Sequence, residues 1–192
     1  LAKVAKELAE LGGNIVSLVT FDGDDMSKKR CTCKVCSLSI EQVKEVLGDT
    51  VSYAYQEELL GTGHAVMQAE EYLKGKSGKV LVLNGDVPII RPETLKNLLE
   101  KSIKNKEYAT LVTAIYNNPT GYGRIIRDEG GSVEEIIEEK DANEEQRKIQ
   151  EINAGIYCFD IQELLKALKE LKPDNAQGEL YLTDIVKIMN EK

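Results

Sequence analysis

The chain has little of what several kinds of protein depend on. Among its 192 residues there are four cysteines, three clumped at Cys31, Cys33 and Cys36 and the fourth at Cys158. Such a count and spacing exclude a secreted disulfide framework and point to a reducing cytoplasm. There is one histidine, His64, and no convincing Ser/His/Asp or Cys/His set, so nothing suggests a covalent nucleophile. No apolar run approaches the roughly 20 residues that cross a bilayer, and no signal-peptide pattern is seen. Positive charge is also in short supply: a net charge of -8 and a pI near 4.9 argue against a partner with a nucleic-acid backbone. They do not argue against a nucleotide substrate, whose phosphates a metal ion can screen. Repeats, low-complexity tracts and Pro/Ser-rich linkers are absent too, so residues 1–192 read as a single domain. That domain reads as partial, because the sequence opens without an initiator Met inside a helical stripe of Leu1, Val4, Ala5, Leu8 and Leu11.

What is present is an ordinary soluble balance, 42% hydrophobic and 30% charged, with clear periodicities. After Gly12-Gly13, "NIVSLVT" (14–20) has strand length and β-branched character. Residues 21–39 are polar and irregular, and a short helix is expected over 40–47. "TVSYAYQ" (50–56) reads as a strand. Ala65, Val66, Ala69, Tyr72 and Leu73 then fall on one face of a helix. "KVLVLNGD" (79–86) is a nearly unbroken apolar run, as expected of a parallel strand covered on both faces. A helix follows, with Pro92 and Glu93 in its first turn and Leu95, Leu98, Leu99 and Ile103 on one face.

"YATLVTAIY" (108–116) and "EINAGIYCF" (151–159) are further strands. Between them, "GYGRIIRDEGGSVEEIIEE" is read as a hairpin turning at 128–131, although propensity alone allows a long helix after it. Ile161, Leu164, Leu165, Leu168 and Leu171 make an amphipathic helix stopped by Pro173. A last helix begins near Thr183, which with Asp184 is a suitable cap. The expected fold is α/β, a mixed and mostly parallel sheet with flanking helices and a β-rich extension. In such sheets ligands bind beyond the carboxyl ends of the strands.

Two places stand out. Asp86 follows Gly85 at the end of a buried run and suits Mg²⁺, which takes one or two carboxylates together with phosphate oxygens; a plain turn aspartate is the alternative. The second is Gly61-Thr62-Gly63-His64 at a helix entrance, where one Ser or Asp would have sufficed as a cap. Either it is a tight turn with a threonine cap, or the backbone is bared so that something can approach.

"YQEELLGTGHAVMQAEEYL", "VLVLNGDVPIIRPETL", "NNPTGYGRIIRD", "EEKDANEEQRKIQEINAGIYCFD" and "NAQGELYLTDIV" follow in the order and at about the spacing of one bacterial family. From about Glu41 onward the chain resembles the N-terminal uridylyltransferase domain of bifunctional N-acetylglucosamine-1-phosphate uridylyltransferase/glucosamine-1-phosphate acetyltransferase. The resemblance implies a Rossmann-like nucleotide-diphospho-sugar transferase fold with a sugar-binding β extension. It implies Mg²⁺, and a reaction of UTP with N-acetylglucosamine 1-phosphate giving UDP-N-acetylglucosamine, a peptidoglycan precursor, and pyrophosphate.

By the same resemblance, Gln56, Gly61 and Thr62 bind the nucleotide and Asp86 is the catalytic magnesium ligand. Gly123, Glu138, Asn153, Tyr181 and Thr183 line the sugar pocket. Read from the residues alone, Thr62 and Thr183 are helix caps, Gly123 a strand irregularity and Glu138 part of a solvated acidic face. Asn153 is an amide in an apolar strand that needs partners. His64 is a helix-start residue.

The chain also departs from the family. The first strand and its Gly-rich phosphate loop do not precede Leu1, an asparagine expected as second magnesium ligand lies beyond Lys192, and Asn84 stands where a tyrosine is usual. A catalytically incomplete piece is therefore expected. Full-length members are expected to trimerise through a β-helix domain, this piece to be monomeric. The stretch 21–39, with Cys31, Cys33 and Cys36, is read as a reduced mobile loop, with a thiolate metal site as the alternative. A sibling enzyme using glucose 1-phosphate or dTTP, and a non-catalytic nucleotide-sugar-binding domain, are the competing functional readings.

Overall fold

The computed structural model describes residues 14–22, 25–36, 45, 52–84 and 90–191. The helix expected over 1–11, all but residue 45 of the one expected over 40–47, and the turn 85–88 with Asp86 lie outside the described residues. In chain order come β1 (Asn14–Asp22), β2 (Asp25–Cys36), α1 (Thr62–Met67), α2 (Glu70–Leu73), β3 (Lys79–Asn84) and α3 (Pro92–Asn105). Then follow β4 (Ala109–Ile115), β5 (Arg124–Arg127), β6 (Val133–Ile137), α4 (Glu144–Arg147), β7 (Glu151–Asp160), α5 (Ile161–Leu168) and α6 (Asp184–Asn190).

The strands make one sheet in the order β2-β1-β3-β7-β5-β6, with β4 also paired to β7. β3 explains its own apolar run. Val80 and Val82 pack with Leu73, Phe159, Leu164 and Ile185 on one face, while Leu81 and Leu83 pack with Leu98, Leu99, Ile156 and Cys158 on the other. Alternate side chains thus enter two cores, each fully buried aliphatic contributing about 1.5–3 kcal/mol. α5 and α3 are the covers of the two faces, and their stripes were legible. α5 starts where expected because Asp160 caps it, its carboxylate accepting from the amides of Gln162 (3.0 Å) and Glu163 (3.3 Å).

The fold class stands as a mixed sheet flanked by helices, but strand direction needs a correction. Each pairing resolved among the described strands is antiparallel, including β1 with β3 and β3 with β7. β3 and β4 do run the same way, yet β7 lies between them, antiparallel to both. Burial on both faces makes a strand apolar whichever way its neighbours run, so composition could not report direction.

Three local expectations also change. Residues 25–36 form a strand paired with β1 (Cys33 opposite Ser17, Cys36 opposite Asn14) rather than an irregular loop. Of 52–56 only Ser52 makes a bridge, and the Tyr53 carbonyl accepts instead from the Tyr72 hydroxyl at 2.8 Å. The helix after Gly61 is two short helices. Gln68 turns its amide back onto the His64 carbonyl (3.0 Å), and Ala69 N–H reaches Val66 O rather than the carbonyl four residues back. The hairpin was read correctly, β5 pairing with β6 from Arg124 opposite Ile137 to Arg127 opposite Val133.

A bulge in β7 matters most for the site. Leu111 lies opposite Tyr157 and Thr113 opposite Asn153, so a two-residue step on β4 spans a four-residue step on β7. Gly155, at φ +68°, takes up the excess, and a Cβ there would fall 2.4 Å from Asn84 Nδ2. Gly155→Ala is accordingly expected to cost about 1–2 kcal/mol through left-handed strain and displacement of Asn84, read as a lower urea midpoint.

Candidate functional site

Two groups of the proposed residues form on either side of the segment 179–183. In the first, Gly61 has φ +106° and ψ 177° at the entrance of α1, and no side chain caps this helix. The Thr62 hydroxyl is used differently: its oxygen accepts from Leu182 N–H at 3.0 Å. Leu180 N–H donates to Leu60 O and Gly63 N–H to Leu180 O, both at 2.8 Å. The two glycines are therefore needed for a close approach by the chain itself. A Cβ on Gly61 would lie 2.7 Å from Leu180 O, and one on Gly63 2.9 Å from the same oxygen.

Gln56 reaches this loop from the other side. Its Nε2 lies 3.4 Å from Gly61 O and 2.9 Å from His64 Nδ1, while its Oε1 is buried without a hydrogen-bond partner. His64 Nε2 faces Gln68 Nε2 at 3.1 Å. The ring lies between the two glutamine side chains, in contact with each through a different nitrogen. His64 is thus an organiser of Gln56 and Gln68, as a helix-start residue should be.

The second group gathers where β5, β6 and β7 meet. Gly123 is buried, and a Cβ on it would stand 3.3 Å from Glu138 Oε2 and 3.1 Å from Ile136 Cγ2. Gly123 O accepts from Asn153 N–H at 2.9 Å. The bulge turns the Asn153 amide inward: its Nδ2 donates to the Tyr157 hydroxyl at 2.6 Å and its Oδ1 accepts from Gly155 N–H at 3.1 Å. Thr183, only 4% exposed, donates its hydroxyl to Glu138 Oε1 at 3.1 Å and caps nothing.

Glu138 is therefore not on a solvated face. Burial pushes its carboxyl up, the Thr183 hydrogen bond opposes this, and the charges of Asp184 and Asp141 add to it. Tyr181 is 7% exposed, with its hydroxyl beside Asp141. Burial first, then the acids Asp141, Glu138 and Glu179, push that phenol up to about 12. Burial likewise raises Tyr157. Together these residues present a carboxylate, an amide and three hydroxyls, the donors and acceptors that suit sugar hydroxyls and an acetamido group. Asp86 lies outside the described residues; β3 ends two positions before it, at Asn84. Among the described residues no group of three or more His, Cys, Asp or Glu could hold a metal.

Arg124 was missed entirely. It is 1% exposed, pairs with Glu139 Oε2 at 2.6 Å, and donates to the Tyr122 carbonyl and to Arg147 O (3.3 Å). Glu139 Oε2 also accepts from Gly121 N–H at 3.2 Å. The pair thus stands one residue from each of Gly123 and Glu138, locking the turn that presents them. An arginine at an inward strand position was the only signal, and two acids in a run offered no way to choose its partner. Arg124→Met is expected to lower the thermal unfolding midpoint by several degrees in circular dichroism, because two carbonyls and a carboxylate lose their donor.

Comparison with known proteins gives this geometry a context. Residues 37–192 match the model of the nucleotidyl transferase family. The bifunctional protein GlmU of Clostridium perfringens (strain ATCC 13124) is 56% identical over 153 residues, 79% of this chain and 34% of that protein. The GlmU of Acetivibrio thermocellus is 55% identical over 152 residues, 79% of this chain and 33% of that protein. A second Clostridium perfringens GlmU (strain SM101) is 48% identical over 176 residues, 92% of this chain and 35% of that protein. The chain therefore spans about a third of the length of these relatives.

Among solved structures, UDP-glucose pyrophosphorylase complexed with UDP-glucose superimposes with a TM-score of 0.61 at 18% identity, covering 80% of this chain and 60% of that one. Its apo form gives 0.61 at 19% identity, covering 80% and 57%. This is a likeness of fold. No helix among the described residues is long and apolar enough to cross a membrane. On the match over residues 37–192, the chain belongs to the nucleotidyl transferase family.

Proposed function

We propose that residues 1–192 are part of one sugar-1-phosphate nucleotidyltransferase domain that forms UDP-N-acetylglucosamine and pyrophosphate from UTP and N-acetylglucosamine 1-phosphate. The observation that carries this reading is the convergence of Gly123, Glu138, Asn153 and Thr183 on one polar cluster, in a chain about half identical to several GlmU proteins. In the reaction a phosphate oxygen of the sugar phosphate bonds to the α-phosphorus of UTP. The bond from that phosphorus to the bridging oxygen breaks, and pyrophosphate leaves with the electron pair.

In this reading Gln56 and Gly61 receive the base, Thr62 lies along the nucleotide, and Glu138, Asn153, Tyr181 and Thr183 hold the N-acetylglucosamine. Asp86 would hold Mg²⁺, which when bound neutralises charge on the phosphates. Positioning and electrostatics suffice, since no covalent intermediate is needed. The product suits a bacterial cytoplasmic role in supplying cell-wall synthesis, and full-length relatives would act as trimers.

Pyrophosphate release with N-acetylglucosamine 1-phosphate, set beside glucose 1-phosphate and with dTTP in place of UTP, tests the assignment. Faster release with glucose 1-phosphate would overturn it in favour of the sibling enzyme. Calorimetric binding of UDP-N-acetylglucosamine without release by the full-length protein would mark a non-catalytic nucleotide-sugar-binding domain instead. In a full-length protein carrying these residues, Asp86→Asn is expected to lower release about 100-fold, the scale of losing one electrostatic clamp; residues 1–192 alone are expected to release little or none.

A further inference from the structure

The segment 179–183 touches both groups of residues, and nothing in the functional reading above uses that connection. Three hydrogen bonds join it to the α1 entrance: Leu180 N–H to Leu60 O, Gly63 N–H to Leu180 O, and Leu182 N–H to Thr62 Oγ1 (2.8, 2.8 and 3.0 Å). One residue further on, Thr183 donates to Glu138 at 3.1 Å. The path from the nucleotide entrance to the buried carboxylate is thus a single bonded strip, anchored at its start by Asn175. That side chain donates to Glu179 O (2.6 Å) and accepts from Glu179 N–H and Gln177 N–H (both 3.2 Å). Asp141 fixes the same loop by accepting from Ala176 N–H at 2.7 Å.

Of these three hydrogen bonds to α1, the one made by a side chain is that of Thr62. Because its oxygen accepts from Leu182, its hydroxyl proton remains for another acceptor, and the residue is exposed. We infer that Thr62 is a positioning residue for the sugar end, transmitting nucleotide binding through Leu182 and Thr183 to Glu138. This rests on the reading that the ligand is a uridine diphosphate sugar. A simple nucleotide contact at Thr62 would affect every uridine ligand alike. A transmitting residue must also change how well the sugar is discriminated.

Calorimetry with UDP, UDP-glucose and UDP-N-acetylglucosamine separates the two. The native chain is expected to favour UDP-N-acetylglucosamine over UDP-glucose. Thr62→Val, which has the same shape but no acceptor for Leu182 N–H, should reduce that preference about tenfold, the scale of one hydrogen bond to a charged network. Thr62→Ser restores the acceptor and should restore the preference. Thr62→Val combined with Thr183→Val should lose little more than either alone, as expected of residues acting in one chain of contacts.

If Thr62→Val weakens all three ligands by one factor, leaving the preference intact, the inference is wrong while the functional reading survives. If the native chain shows no such preference, the functional reading fails first and the inference with it. A measurement on the unmodified chain guards against an unfolded variant. UDP alone, which has no sugar, is expected to slow hydrogen exchange at the Leu182 amide and to shift the Glu138 carboxyl carbon resonance. UDP binding that leaves both unmoved overturns the inference.

Discussion

Gly61→Ala is expected to remove about 3 kcal/mol or more of stability, a large share of the roughly 5–15 kcal/mol that holds a domain of this size together. Two costs combine. The backbone at φ +106° and ψ 177° lies in a region that only glycine occupies at little expense, and holding alanine there costs about 1–3 kcal/mol. The new methyl would also sit 2.7 Å from Leu180 O and 2.9 Å from Leu180 N. Those are backbone atoms already hydrogen-bonded to Gly63 and Leu60, so they cannot give way without breaking the lacing, which adds about 1–3 kcal/mol.

Gly75 is the control. Its φ is +73°, but a Cβ there meets nothing within 4 Å, so Gly75→Ala should cost about 1 kcal/mol from conformation alone. Equilibrium urea denaturation of the two variants measures the difference. Equal midpoints would show that the Leu180 contact carries no weight.

Glu138→Gln is expected to stabilise the protein at neutral pH while weakening its binding of UDP-N-acetylglucosamine about tenfold or more. The sign follows from burial. A carboxyl whose folded pKa lies above its unfolded one holds its proton more tightly in the native state, so native stability falls as pH rises through that window. Below about pH 4 both states are protonated and the native chain and the variant should be alike. From the ordinary carboxylate value up to the raised one the variant should pull ahead, and above the raised value the gap should stay constant.

A gain on the order of 1 kcal/mol is the scale usual when such a compromise at a proposed functional site is relieved. The comparison must be a difference between the two proteins at each pH. Burial raises Asp184 in the same direction, whereas Glu139 and Glu151 are lowered mainly by their arginine partners and favour folding above the ordinary carboxylate range. Subtraction cancels Glu139 and Glu151, which are not among the groups acting on Glu138, whereas Asp184 is coupled to it. A gap that shrank with rising pH would contradict the buried position of Glu138.

Binding should move the other way, because the lost charge is the acceptor that a sugar hydroxyl would meet, and hydrogen bonds to charged groups are worth about 1.5–3 kcal/mol. Melting curves from acid to mildly alkaline pH, with calorimetry on the same samples, check both halves. A variant that bound as well as the native chain would remove Glu138 from the site.

The amino-acid sequence determined whatever depends on near neighbours. The stripe of α5 and its Asp160 start, the apolar β3, and the β5–β6 turn each follow from side-chain period and turn chemistry within a dozen residues. So does the family likeness, which is carried by short motifs in order. The tertiary structure decided what depends on residues far apart in the chain. Strand direction around β3 was not in its composition, because a strand buried on both faces is apolar in either sense.

The bared backbone at Gly61-Thr62-Gly63 is visible in the sequence, but its partner lies at Leu180, and no local rule connects the two. For the same reason Arg124 could not be paired with Glu139 rather than with another acid, and Glu138 could not be distinguished from a solvated carboxylate until Thr183 covered it. Propensity and periodicity act over a few residues, whereas burial and close approach exist only once distant segments have met.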